Sequence, residues 1–402
     1  MGLSDDRLRW PIGEYVGTSP RRCGYLRATF GSAQLWITDA LARGVRILGA
    51  PRSVRCILAL NNTAQTSRPA RALLLCLLTS TVIAACGAPT INKDRTSQSA
   101  PYIPGGIVIR SAVKATGQHL TEHLTYDGLV RTYELYVPAS LPRHPAPLLV
   151  ALHGGLGSGL QFETNTDFDG LAEANKFLVV YPDGTPTGLG PNRLVWNAGG
   201  CCGSARAGQE NIDDVGFVSR LIVLLEHDYD VNPHQVFVTG HSNGAMLAYV
   251  VACDDASHVA AVAVQAGALL EPTCHPSLPV ATMEIHGTDD QNVPIDGGKG
   301  SRDISGTVYP PPVKALETFA SADGCSARRT SADPTNRAVT IELWKNCRRS
   351  TSVEWIKVAG ANHAWMGHPA SPGAELLLGK PFSGFDSSQA VWSFLAAHPR
   401  AQ

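Results

Sequence analysis

The sequence predicts an α/β fold, a mostly parallel central sheet with helices on both faces. Three observations carry this. Short apolar runs of strand character recur between residues 107 and 358, stretches with helical spacing separate several of them, and the later runs are continuously apolar, as expected of strands buried on both faces. With 402 residues, 44% hydrophobic and 17% charged, the chain can bury a large core and has no signature of disorder.

The N-terminal part reads differently. Residues 1–71 hold 11 Arg, no Lys and 4 acidic side chains, leaving 22 basic against 30 acidic in the rest. That acidic balance argues against a nucleic-acid partner. Arg68 and Arg71 precede a charge-free apolar run over residues 72–85 that ends in small residues before Cys86. This is the layout of a secretory signal, and the run is too short to span a bilayer comfortably. Its ending, Ile83-Ala84-Ala85-Cys86-Gly87, resembles the bacterial lipobox, in which the Cys is lipidated. We therefore expect a signal peptide over 68–85 and a lipid anchor to the membrane on Cys86. A polar, Pro-containing tether follows over 86–105 and a folded domain over 106–402. Residues 1–67, rich in Arg, Gly and Pro, would precede a signal that should itself be N-terminal. They are expected to be a non-native or disordered extension from a start codon set too early. The next Met is Met246, so the true start would use a Val or Leu codon, near Val54.

Within the domain, residues 107–113, 131–137, 148–152, 177–181, 236–239, 259–265, 280–285, 339–344 and 353–358 read as strands. Residues 162–175, 215–229, 245–253, 313–322 and 388–397 read as helices. The alternation of Thr132-Tyr133-Glu134-Leu135-Tyr136-Val137 suggests an antiparallel edge, and the later runs suggest buried parallel strands. No internal repeat or low-complexity segment interrupts the pattern.

The chemistry sits where strands end. Residues 236–239 run into Gly240-His241-Ser242-Asn243-Gly244 and then into a helical stretch. Strand, G-x-S-x-G and helix together define a nucleophile elbow, in which Gly is wanted two residues either side of the Ser because the turn leaves no room for a side chain. A second strand, 148–152, runs into His153-Gly154-Gly155, a loop suited to offering a backbone N–H to a developing oxyanion. Gly155 and Asn243 are the candidate donors, and His153 itself is read as structural. A Ser hydroxyl needs a base held by a carboxylate, and in this fold the chain order is Ser, acid, His. After strand 280–285 come Asp289 and Asp290, and after strand 353–358 comes His363. His241 adjoins Ser242 and should project away from it, while His286 is expected to cap or pack. Asp213 and Asp214 open a helix, where an N-cap role fits. Trp196 and Trp365 are candidates to line the substrate pocket, or to fill the core.

Taken together, His153-Gly154-Gly155, the stretches 196–203 and 213–217, Gly240 to Gly244, 286–294 and 360–365 make the chain from about residue 107 to 398 similar to the polyhydroxybutyrate-depolymerase and feruloyl-esterase-like family of secreted α/β-hydrolase esterases. The resemblance implies a triad of Ser242, Asp290 and His363. Asp290 is preferred over Asp289 because the loop fits the family pattern His-Gly-Thr-x-Asp followed by Val-Pro, with Asp289 on the variable position. The resemblance also implies a disulfide at the adjacent pair Cys201 and Cys202. One departure is Met366, where the family often has Pro-Gly after its Trp. The implied activity is hydrolysis of carboxylic esters, of polyhydroxybutyrate type or feruloyl and acetyl esters of polysaccharides, with no metal or organic cofactor. The same residues would serve a peptidase or thioesterase, and a lipid-anchored polymer binder on an inactive hydrolase fold is the reading from a different class. Six of the ten Cys fall in the domain, with no CxxC beside ligand His, so disulfides are expected and zinc is not. We expect three bridges, Cys325 to Cys347 flanking strand 339–344, and Cys201 and Cys202 reaching Cys253 and Cys274 in an open order.

Overall fold

The computed structural model describes residues 115–401 apart from 143, 144, 191, 202–205 and 272. The extension, the signal, Cys86, the tether, Cys202 and the expected strand 107–113 lie outside these residues. The alternating stretch near residue 132 forms β2 (Leu129–Val137), paired antiparallel with β1 (Gln118–Tyr126). The continuous apolar runs form β3 (Ala146–Leu152) and β4 (Leu178–Pro182), with a small ribbon of β5 (Thr185–Pro186) and β6 (Leu194–Val195) beside them. The series continues with β7 (Val231–His241), β8 (Ala261–Gln265), β9 (Ala281–Gly287), β10 (Ala327–Ala332), β11 (Val339–Lys345) and β12 (Val353–Val358).

Ten of these strands make one sheet in the order β1-β2-β4-β3-β7-β8-β9-β12-β11-β10. The six from β4 to β12 are mutually parallel. Antiparallel ribbons flank them on both sides. The late edge corrects the expectation of parallel strands there. β11 buries Val339 and Ile341 on one face and Glu342 and Trp344 on the other, with only Lys345 exposed, so its apolar run does not tell it from a parallel strand, yet it pairs antiparallel with both β10 and β12. β1 and β10 were not expected at all, because both are largely exposed and polar.

Helices cover both faces. On one side pack α4 (Asp214–Tyr229), α5 (Asn243–Asp254) and α6 (Val313–Ala322). On the other lie α1 (Gly159–Thr166), α2 (Phe168–Asn175) and α8 (Ser387–Ala397). Two short helices, α3 (Arg206–Gln209) and α7 (Glu375–Leu378), complete the set. The helix read as 162–175 is two, broken at Asp167, whose φ of 54° is left-handed. α5 is buried from Asn243 to Cys253, as a helix apolar on all sides must be. Near the start of α4, Asp213 is the N-cap and accepts from Gly216 N–H at 2.8 Å. Asp214 is instead buried and lies 2.7 Å from Arg131, whose guanidinium stacks 4.1 Å over Phe217.

The disulfides correct one expectation and match another. Cys325 bonds to Cys347, as expected, but Cys253 bonds to Cys274, so neither is free for Cys201 or Cys202. The bridge Cys253–Cys274 ties the last turn of α5 to a residue 21 positions on. Cys201 is disulfide-bonded as well.

Candidate active site

The parallel strands end on one edge, and each contributes a loop there. β7 runs directly into Ser242, which has φ 54° and ψ −120°, a conformation that non-glycine residues rarely adopt and that costs of order 1–3 kcal/mol. The neighbours explain how it is held. A Cβ on Gly240 would lie 2.4 Å from the Gly244 carbonyl oxygen, and one on Gly244 would lie 2.3 Å from that of Leu152. The Ser242 N–H donates across the sheet to Gln265 O at 3.0 Å, and its carbonyl accepts from Met246 N–H, opening α5.

Ser242 Oγ lies 2.8 Å from His363 Nε2, and His363 Nδ1 lies 2.7 Å from Asp290 Oδ2. A carboxylate can only accept, so Nδ1 carries the proton and Nε2 is left to accept from the hydroxyl. Asp290 follows β9 and is buried. Its Oδ1 accepts from the N–H groups of Asn292 at 2.8 Å and Val293 at 2.9 Å. Burial alone would raise its pKa, but the charge and hydrogen bond of His363, with His286 beyond, hold it below the usual carboxylate value. Asp289 is exposed, and its carboxylate accepts from Thr288 Oγ1 at 3.0 Å.

The loop carrying His363 is fastened from below. His241 Nε2 donates to His363 O at 2.7 Å. Burial pushes the His241 imidazole down to about 3, so it stays neutral and a donor on one side only. Gln265, at the end of β8, donates to Ala364 O and accepts from Met366 N–H and Ser387 Oγ. No sequence motif marks Gln265. Its one signal is an amide ending an otherwise apolar buried strand, AVAVQ, where an unpaired polar group would be costly.

Gly155 sits against the start of α5, so close that a Cβ on it would lie 3.6 Å from Asn243 Cβ. The backbone N–H groups of Gly155 and Asn243 donate to no acceptor among the described residues. His153 is structural. It accepts from Gly184 N–H through Nε2 and donates through Nδ1 to Gly154 O, and burial brings its pKa down to about 4.

Neither Trp lines the pocket, which corrects that expectation. Trp196 is wholly buried, donating its indole N–H to His153 O at 2.9 Å. Its backbone clamps the Asn243 side chain, giving N–H to Oδ1 at 2.8 Å and taking Nδ2 on its carbonyl at 3.2 Å. Trp365 packs edge-on against Phe162, Phe168 and His241 and donates to Ser388 Oγ. Met366, the departure from the family pattern, is fully buried too. The walls of the cavity of about 340 Å³ above Ser242 come instead from Leu156, Leu189, Val195, Met246, Ile304, Leu377 and Leu378, with Asn292, Asp303, Ser305 and Tyr309 as polar members. Among the described residues, one grouping of His and carboxylates could hold a metal ion, His119 with Glu163 and Asp169. None of the three lines this cavity.

Residues 131–317 match the family model described as esterase PHB depolymerase, a span that includes Ser242 and Asp290 and stops before His363. Feruloyl esterase B of Piromyces equi is 27% identical over 230 residues, 54% of this chain and 40% of that protein. A bifunctional acetylxylan esterase/xylanase of Neocallimastix patriciarum is 23% identical over 245 residues, 61% of this chain and 32% of that protein. The chain thus spans less than half the length of these two curated relatives. Among solved structures, the acetyl xylan esterase from Aspergillus awamori superposes with a TM-score of 0.45 at 18% identity, over 61% of this chain and 94% of that one.

Proposed function

We propose, from the match of residues 131–317 to the esterase PHB depolymerase family model and the geometry at Ser242, that the chain is an exported serine esterase acting on carboxylic esters. In this reading His363 takes the proton from Ser242 Oγ as the oxygen attacks the ester carbonyl. Asp290 keeps the imidazole in the required tautomer and stabilises its charged form. The Gly155 and Asn243 N–H groups receive the oxyanion. The alcohol leaves with the proton from His363, and water then releases the acid from the acyl-enzyme. The observation that carries the reading is the unbroken chain of contacts Ser242 Oγ, His363 Nε2, His363 Nδ1 and Asp290 Oδ2 at 2.8 and 2.7 Å, at the mouth of a largely apolar cavity.

The substrate is an ester of hydroxybutyrate type or a feruloyl or acetyl ester of a polysaccharide. The relatives' names favour an ester over a peptide. The test is a fluorophosphonate labelling experiment with a hydrolysis panel of those ester types and a peptide control. Wild type should be labelled and should turn over at least one ester class. Ser242→Ala should do neither, with turnover lower by several orders of magnitude. Ester turnover by Ser242→Ala within tenfold of wild type would refute the assignment.

Export is part of the same proposal, through the signal at 68–85 and lipidation of Cys86, with the catalytic domain over 106–402. The bridges Cys253–Cys274 and Cys325–Cys347 suit an oxidising compartment. The Cys86→Ala variant should move from the membrane fraction to the soluble exported fraction. If its fractionation is unchanged, lipid is not the tether.

A further inference from the structure

Behind the triad acid lies a second set of ionisable groups that the proposed chemistry does not use. His286 and Glu284 are on β9, two residues apart, so their side chains share one face of the strand. Both are completely buried. His286 Nδ1 is 2.8 Å from Glu284 Oε1, and Nε2 donates to the Val293 carbonyl at 2.9 Å and lies 3.5 Å from Asp290 Oδ2. Glu284 also accepts from Tyr249 OH at 2.6 Å and from Gly267 N–H at 3.0 Å. Four polar groups thus converge on a carboxylate and an imidazole in the core, where unpaired charges would be costly. The same Asp290 oxygen meets His363 on one side and His286 on the other.

Resting on the esterase reading above, we propose that Glu284 and His286 are positioning residues for the triad. Glu284 keeps His286 as an imidazolium, and that cation fixes the turn from Asp290 to Val293 and sets the electrostatics of Asp290 and His363. The hydrogen bonds support the charged form. A carbonyl can only accept, so Nε2 carries a proton, and Nδ1 faces a carboxylate that also accepts from Tyr249 OH and Gly267 N–H; burial raises the Glu284 pKa, and the hydrogen bond and charge of His286, with these two donors, oppose the rise. Burial opposes charge on His286, but the bond and charge of Glu284, followed by Asp290, raise its pKa above the ordinary imidazole value. The other titratable groups facing this cluster are His363 from the loop after β12, His241 from β7, which is neutral, and Tyr249 from α5, whose hydroxyl is held well above its usual value.

A cation beside Asp290 lessens that carboxylate's pull on a proton at His363. Removing it should leave the Asp290 charge uncompensated beside the catalytic base, and the acid limb of kcat/KM should move to higher pH. Glu284→Gln tests this with little change of shape: with the amide NH2 in the place of Oε1, a neutral His286 still donates to Val293 O while accepting at Nδ1, at the loss of the Gly267 N–H bond. The expected result is an acid limb shifted up by about half a pH unit or more and kcat near neutral pH lowered about tenfold, with KM little changed. Tyr249→Phe, which removes one donor to Glu284 while keeping the ring, should shift the limb in the same direction by less. This second variant keeps the test open if Glu284→Gln does not fold. An acid limb that stays at its wild-type position in the folded variants would make the pair core packing and overturn the proposal. Wild type that neither labels with fluorophosphonate nor hydrolyses any ester would overturn the esterase reading along with this one.

Discussion

Asp289 and Asp290 are chemically identical neighbours that the fold puts in opposite situations. Asp289 faces water, while Asp290 is buried with three protein donors, His363 and two backbone N–H groups, on its two oxygens. Asp290→Asn should therefore leave the imidazole in the wrong tautomer and cost up to about ten-thousandfold in turnover, by analogy with the same change in a serine protease. Asp289→Asn should stay within a few-fold of wild type. Steady-state kinetics of the two variants decides it, and a crippled Asp289→Asn beside a near-silent Asp290→Asn would mean the loop register is wrong. At this scale, residues whose chemistry demands a particular backbone were legible. Gly240 and Gly244 declare an elbow around Ser242 because a Cβ at either would strike backbone, and His363 follows from chain order. The two Trp were not legible. A Trp serves a pocket wall and a core equally well in sequence, and only the packing shows that Trp196 holds Asn243 and Trp365 holds α1 and α2.

The elements divide along the same physical line. The buried parallel strands and α5 announce themselves as continuous apolar runs because water touches neither face. The edges are quieter. β10, ARRTSA, has almost no buried side chain, so its membership in the sheet rests on backbone pairing with β11 that leaves no hydrophobic trace. β1 is similar, its half-buried Leu120 and Leu124 spaced within a polar strand. The break between α1 and α2 escaped notice because the apolar spacing runs straight through it. Only the left-handed backbone at Asp167 separates the two helices, and Asp is among the few residue types that accept that conformation. The cysteines show the limit of composition. Three bridges follow from an even count, but assigning Cys253 to Cys274 needs the path of the chain after α5 and β8, which spacing alone does not reveal.

For the molecule as a whole, the charges within the sheet's surroundings set the response to pH. Asp169 on α2 is buried, accepts from Tyr181 OH at 2.8 Å and faces Glu163 and His119. Burial first, then repulsion from Glu163, pushes its pKa up to about 8, so the folded chain holds a proton there that the unfolded chain has already lost. The stabilising contribution of that proton is complete below the unfolded carboxylate value near pH 4. It declines as pH rises and is gone once the pH passes about 8. His153 and His241 act in the opposite sense. Burial depresses them to about 4 and about 3, so their neutral forms cost stability as pH falls below the unfolded imidazole value near 6.5. The chain should accordingly be most stable at mildly acidic to neutral pH, with Asp169 setting the alkaline side. Asp169→Asn keeps an acceptor for Tyr181 and adds a donor toward Glu163 while removing the charge that ionisation would create. Its melting temperature should exceed that of wild type by a few degrees at pH 8, about 1–2 kcal/mol, and the gap should shrink toward zero as pH falls to about 4, where wild-type Asp169 is itself protonated in both states. Calorimetric melting of the two proteins across that range measures the gap. If the gap is constant with pH, folding does not change the proton on Asp169 over this range and the alkaline limit lies elsewhere.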